Sequence, residues 1–230
     1  MTSLCALLET TTPELKRLRR SISWGNAYKT FKLKKKVGSE RQINAPSRKL
    51  KAVQRKLAEE FLEHIPQLGP AHGFHRDRGV HTNASAHANH RWILNLDLKD
   101  FFPSINFGRV RGALMAPPLS LNNPVATVVA QLCTFRNALP QGAPTSPALS
   151  NLICLRLDRN LRDLAKRNRC FYTRYADDIT FSTNSWVFPA SLAALPENLI
   201  SGNASVGPAL REVVEQNGFT INPTKTRLQP

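Results

Sequence analysis

The sequence predicts an α+β fold. Three patterns point there: apolar residues at helical spacing in several long segments, short β-prone runs that alternate with them, and a tight turn at Ala176-Asp177-Asp178 between two such runs. With 230 residues, 41% of them apolar, the chain can build a real core in one large domain or two small subdomains. Lys and Arg number 32 against 16 Asp and Glu, and residues 1–60 alone hold 15 basic and 5 acidic side chains. A positive excess concentrated in this way favours a polyanion as partner, nucleic acid ahead of a membrane surface. No apolar run approaches the ~20 residues that span a bilayer. Met1 to Thr10 also lacks the basic start of a secretion signal, so a cytoplasmic location is expected, without membrane attachment. Cys5, Cys133, Cys154 and Cys170 show no paired spacing and read as reduced thiols.

Residues 13–24 form a basic helix, and Tyr28 to Lys36 reads as a lysine-rich strand or loop before a Gly38-Ser39 turn. Leu50, Val53, Leu57 and Phe61 place an amphipathic helix between Pro46 and Pro66. Residues 69–90, rich in Gly, His, Asn and Arg, read as irregular and lead into a buried strand at Trp92 to Leu98. Asn123-Pro124 and Ser146-Pro147 each look like an N-cap followed by Pro at the first helical position. The second opens a helix with Leu149, Leu152, Ile153, Leu157, Leu161 and Leu164 on its core side. Phe171 to Tyr175 and Ile179 to Ser182 then make a hairpin with two carboxylates at its tip. A last helix at Pro208 to Asn217 leads to a strand at Phe219 to Ile221, an Asn222-Pro223 turn and Lys225.

Adjacent aspartates at such a tip repel each other. The cost falls if a divalent cation sits between them and a third carboxylate, because hard cations take oxygen ligands. Asp97, at the end of a strand able to lie beside the hairpin, is the natural third ligand. Such a trio can hold two Mg²⁺ ions ~3.5–4 Å apart, the arrangement suited to phosphoryl transfer. Taken alone, the pair fits equally a surface turn stabilised by Asx hydrogen bonds, which is the commoner case.

Three segments change that balance. Tyr175-Ala176-Asp177-Asp178, the run from Asn95 to Ile105 and the run from Leu139 to Pro147 resemble, in the right order, the palm signatures of reverse transcriptases. Ala71-His72-Gly73-Phe74 and the NAxxH segment Asn83 to His87 are similar to bacterial retron enzymes in particular. The resemblance implies a right-hand polymerase built of fingers and palm, with an antiparallel palm sheet and packed helices. It assigns residues 1–91 to fingers, continuing in part through 106–140, and 92–230 to palm, with the thumb missing.

Carried over residue by residue, the resemblance implies a catalytic, metal-binding trio of Asp97, Asp177 and Asp178, with the Leu98 carbonyl as a further ligand of two Mg²⁺ ions. Lys35 and Arg41 match the basic positions that clamp the triphosphate, and Phe102 the steric gate, which is equally readable as a core Phe. Gln141 and Gly142 match the loop beside the incoming nucleotide, and Lys225 the late palm Lys that assists pyrophosphate departure. Arg17, Arg20, Asn83 and His87 are candidates for RNA contact, the last two equally for local architecture.

The activity implied is RNA-directed DNA synthesis from a structured noncoding RNA that serves as template and primer. The implied partners are deoxynucleoside triphosphates, the RNA–DNA product and an effector protein in antiphage defence. A group II intron-like reverse transcriptase and a non-catalytic RNA-binding palm module are the alternatives. All six histidines fall between His64 and His90, which raises a zinc site. No Cys joins them and the segment lacks a helical frame, so hydrogen bonding and RNA contact are expected instead.

Overall fold

A computed structural model of the chain describes residues 2–34, 40–66, 69–75, 77–196 and 200–230. In chain order the first elements are α1 (Thr2–Leu7), α2 (Thr12–Ser23), β1 (Tyr28–Lys34), β2 (Glu40–Pro46), α3 (Arg48–His64), α4 (Val80–Ser85) and β3 (Trp92–Asp97). Helices α5 (Phe101–Ser104), α6 (Phe107–Met115), α7 (Asn123–Cys133) and α8 (Ser146–Arg167) follow, then the hairpin β4 (Phe171–Tyr175) and β5 (Asp178–Thr183). The last part holds β6 (Ala193–Ala194), β7 (Gly202–Asn203), β8 (Ser205–Val206), α9 (Pro208–Gln216) and β9 (Arg227–Gln229). The chain divides into two compact units, residues 1–66 with 102–153, and 67–101 with 154–230.

The first unit is organised by α7, whose Ala126, Val128, Val129, Ala130, Leu132 and Cys133 are all buried. Asn122, not Asn123, caps it, accepting from the Val125 amide, with Pro124 in the first turn. Helices α2, α3 and α6 all pack on this helix. Buried Gln54 of α3 ties the unit together by donating to Tyr28 Oη and to the Leu132 carbonyl, both at 2.8 Å. Strands β1 and β2 form a separate antiparallel ribbon, in register from Tyr28–Pro46 to Lys34–Glu40. After Tyr28 every residue of β1 is exposed.

The second unit is built on a five-stranded antiparallel sheet in the order β4-β5-β3-β9-β7. Side chains alternate across its faces. Tyr172, Phe181, Leu94 and Leu228 stand opposite one another in register on four neighbouring strands, and all four are buried. The other face carries the polar set Thr173, Thr180, Asn95 and Arg227. The two faces decide what covers them: helix α8 supplies an acid to the first, and the segment containing α4 lies along the second.

The segment from 69 belongs to the compact unit of the sheet because its backbone bonds β4, with the Arg174 amide on the Pro70 carbonyl and the His72 amide on the Arg174 carbonyl. The structure corrects the expected elements in two places. Residues 69–90 are not wholly irregular, since α4 forms within them. No strand forms at Phe219 to Ile221. There Ile221 makes one isolated bridge, to Leu98, and the Asn222 amide closes on the Asp97 carbonyl at 2.8 Å. The strand that joins β3 is β9 instead. The Gly38-Ser39 turn lies outside the described residues.

Candidate active site

Asp97 is the last residue of β3 and Asp178 the first of β5, and the two are direct cross-strand partners. Cross-strand partners stand roughly 4.5–5.5 Å apart at Cα and project to the same face. Asp177 lies one residue before Asp178, and its carbonyl accepts from the Leu98 amide at 3.0 Å. The three acids therefore meet at one end of the polar face of the sheet. Asp97 and Asp178 line a concavity of about 640 Å³, together with Tyr175, Lys225, Asn83 and Arg227 among others.

The electrostatics follow from the crowding. Asp97 is 6% exposed, and its Oδ1 accepts from Lys225 Nζ at 2.6 Å while Oδ2 accepts from Asn222 Nδ2 at 3.3 Å. The hydrogen bond to Asp97 raises the pKa of Lys225, so it remains an ammonium. Asp178 reaches solvent but sits in a concavity ringed by protein. Desolvation first, then repulsion from Asp177 and Asp97, pushes it up to about 6 against the opposing pull of Lys225. Three carboxylates crowded at one strand end are a donor set suited to a hard divalent cation. In this arrangement their oxygens do not all come within 4.8 Å of one another, and Lys225 supplies the positive charge at Asp97.

The hairpin tip is held by a network that sequence reasoning did not find. Arg174, fully buried in β4, grips Asp158 of α8 through Nε on Oδ1 and Nη2 on Oδ2, both at 2.8 Å. Tyr172 Oη donates to the same Oδ1 at 2.7 Å. The remaining terminal nitrogen of Arg174 donates to the Ala176 carbonyl at 3.0 Å, one residue before the paired aspartates. Ala176 has φ +56, the left-handed region that a two-residue hairpin loop demands and that costs a residue with a Cβ about 1–2 kcal/mol. Gly73 closes the other side: a Cβ there would lie 2.6 Å from the Ala176 nitrogen, so this position admits only glycine without displacing the tip. The signal was present. Asp158 falls in the stripe Cys154, Asp158, Leu161, Ala165 of α8, all buried, and an acid in such a stripe requires a buried cation.

The other candidates are placed as follows. His87 is inside the second unit: its ring nitrogens bond Ser182 Oγ at 2.6 Å and Thr173 Oγ1 at 2.7 Å, joining both strands of the hairpin, and burial lowers its pKa to about 4. With both nitrogens engaged and the residue 4% exposed, it ties the two strands of the hairpin together. Asn83 lines the concavity, and its buried Oδ1 has no partner. In the first unit, the Gln141 carbonyl accepts from the Asn44 amide at 2.8 Å. Gly142 has φ +117, and a Cβ there would press on Ile43 at 3.1 Å. Phe102 is half-buried in α5. Arg41 is exposed on β2, as are Arg17 and Arg20 on α2, and Lys35 lies outside the described residues. Among the described residues, the one cluster close enough to share a metal is Glu60, Glu63 and His64 on α3. The histidines of 72–90 form none.

Comparison with known proteins agrees with this geometry. Residues 33–229 match the family model "Reverse transcriptase (RNA-dependent DNA polymerase)". The chain is 40% identical over 220 residues to the Retron Mx65 reverse transcriptase of Myxococcus xanthus, covering 88% of this chain and 48% of that protein. It is 39% identical over 230 residues to the Retron Mx162 reverse transcriptase of the same species, covering 91% and 46%. With the Retron Ec86 reverse transcriptase of Escherichia coli it shares 38% identity over 160 residues, 69% of this chain and 49% of that one. The chain thus spans about half the length of the curated relatives it matches. Among the described residues, no helix is long and apolar enough to cross a membrane. A family match across 33–229, on a chain whose three aspartates meet at one sheet end, leads to one conclusion: this protein belongs to the reverse transcriptase family, with the fingers-and-palm fold that membership carries.

Proposed function

We propose that the chain carries the catalytic part of a retron-type RNA-directed DNA polymerase. The observation that supports this most is the direct pairing of Asp97 with Asp178, with Asp177 bonded through the Leu98 amide. Asp97, Asp177 and Asp178, with the Leu98 carbonyl, would hold two Mg²⁺ ions, whose charge would favour ionisation of the primer hydroxyl and stabilise the leaving pyrophosphate. Lys225, held charged beside Asp97, is poised to neutralise the pyrophosphate as it departs. Lys35 and Arg41 bind the triphosphate oxygens, Arg by a bidentate fork and Lys as a mobile charge. Phe102 excludes the 2′-hydroxyl of a ribonucleotide, and Gln141 and Gly142 pack beside the incoming base. Arg17, Arg20 and Asn83 contact RNA. By the resemblance, the template and primer belong to a structured noncoding RNA, and an effector protein joins the RNA–DNA product in phage defence.

Primer extension on poly(rA)/oligo(dT) with Mg²⁺ tests the reading. Wild type incorporates dTTP, and Asp177→Asn abolishes incorporation while salt-sensitive RNA binding persists. Equal incorporation by the two proteins overturns the assignment. RNA binding without incorporation in wild type marks the chain as a binding module instead.

A further inference from the structure

A second concavity, of about 1010 Å³, lies wholly within the first unit between the C-terminal half of α2, the end of α7 and the turn that follows it. It is at the upper end of the ~300–1,000 Å³ typical of ligand clefts. Its wall carries Lys16, Arg19, Arg20 and Arg136, and none of the described residues lining it is acidic. Four cations around one hollow repel one another unless an anion enters.

Three further features narrow the class of ligand. Trp24 lines the cleft and is 71% exposed, leaving a large flat apolar surface uncovered. Arg19 and Gln131 also line it, and Arg19 Nε and Gln131 Oε1 are buried without a partner, a donor and an acceptor each costing about 1–3 kcal/mol while unsatisfied. Arg136 and Asn137 form the turn between Phe135 and Ala138 with φ +51 and +58, a conformation that Asn takes cheaply and Arg does not. The guanidinium of Arg136 lies 5.1 Å from the Phe135 ring centroid, at the edge of the cleft. An inorganic anion would use the cations and leave Trp24 and the amide idle. A nucleotide with an unpaired base uses all of them: phosphate on the arginines, base face on the indole, base edge on the Gln131 side chain.

We infer that this cleft is a binding subsite for single-stranded nucleic acid, with Trp24 as the stacking platform for one unpaired base and Arg19, Arg20 and Arg136 on the adjoining phosphates. A duplex does not fit the chemistry, since its bases are already stacked and paired. Stacking platforms beside cationic grooves are the general device for sequence-tolerant single-strand binding. The inference deepens the nucleic-acid reading proposed above and rests on it for the class of ligand.

The test is anisotropy of a short fluorescein-labelled oligo(rU) with the 230-residue chain, run beside dTTP incorporation on poly(rA)/oligo(dT). Trp24→Ala weakens oligo binding about tenfold, in line with the loss of one base–aromatic stack, and Trp24→Phe restores most of it. Arg19→Gln with Arg20→Gln lowers the slope of log affinity against log salt by about 1.4, since each single-strand phosphate left without its arginine accounts for ~0.7. Trp24 is exposed, so its variants melt as wild type does. Trp24→Ala binding as tightly as wild type, or an unlabelled RNA duplex competing as well as oligo(rU), overturns the subsite. Incorporation failing in wild type while binding still depends on Trp24 sinks the polymerase reading and leaves the subsite standing.

Discussion

The hairpin β4–β5 and the hairpin β1–β2 are both antiparallel ribbons with charged residues, and they are built on opposite principles. The first is buried on both sides, with the Arg174–Asp158–Tyr172 network on one face and His87 on the other. The second is exposed along β1 after Tyr28 and over Glu40 to Gln42, where its side chains meet in surface contacts such as the ion pair of Lys32 with Glu40 at 2.6 Å. Holding carboxylates at fixed separations requires a rigid frame, and packing supplies it. Attracting a flexible polyanion requires only charge at a suitable density, which an exposed ribbon presents without a supporting shell.

Substitutions that break this contrast should differ most in stability. Removing Asp158 by Asp158→Ala leaves the buried Arg174 without its counter-ion, and should cost about 3–5 kcal/mol in urea unfolding. A cost below about 1 kcal/mol would show that the network does not hold the hairpin. Gly73→Ala forces the tip to move and should cost about 1–3 kcal/mol, the usual range for overpacking, with a drop in incorporation larger than any change in oligo(rU) binding. Incorporation equal to wild type would mean that the tip tolerates displacement.

Acid sharpens the comparison further. His87 has its pKa lowered to about 4 from 6.5, chiefly by burial and then by His90 and His72, so the unfolded chain binds the proton more readily than the folded one. Its contribution to stability is complete above pH 6.5 and is lost as the pH falls toward about 4. Urea midpoints measured across that window should fall with pH in wild type and fall less in His87→Gln. Identical slopes would remove His87 from the account. The smallest effect is expected on the exposed ribbon. Lys32→Gln should change stability by no more than about 0.5 kcal/mol, because a surface ion pair contributes little, yet it should weaken RNA binding in a salt-dependent way.

Much of this was legible beforehand where a local pattern carried it. The Asn-Pro and Ser-Pro helices, the buried strand before Asp97 and the two-carboxylate hairpin follow from spacing and turn chemistry and form close to their expected positions. Helices α7 and α8 already include Asn123 and Ser146, the residues expected to cap them, and the Ser146 hydroxyl donates to the Pro140 carbonyl instead. Helix α4 was hidden because Val80–Ser85 has no buried residue and so no apolar periodicity to read. Strand β9 was hidden because its three residues follow a single 3₁₀ turn, with one buried side chain, Leu228, to mark them. His87 was ambiguous for a different reason. A histidine among polar residues looks the same whether it meets RNA or two hydroxyls brought from about 90 residues away.

By itself, the sequence determined the chemical inventory: three acids at the ends of β-prone runs, an excess of cations toward the start, and motifs of a known family. Only the tertiary structure decided which of them act together. Asp97 meets Asp178 because β3 pairs with β5, and Lys225 reaches Asp97 because the chain returns beside β3. Arg174 reaches Asp158, 16 positions earlier in the chain. Such pairings are set by long-range register and burial, which short-range periodicity does not encode.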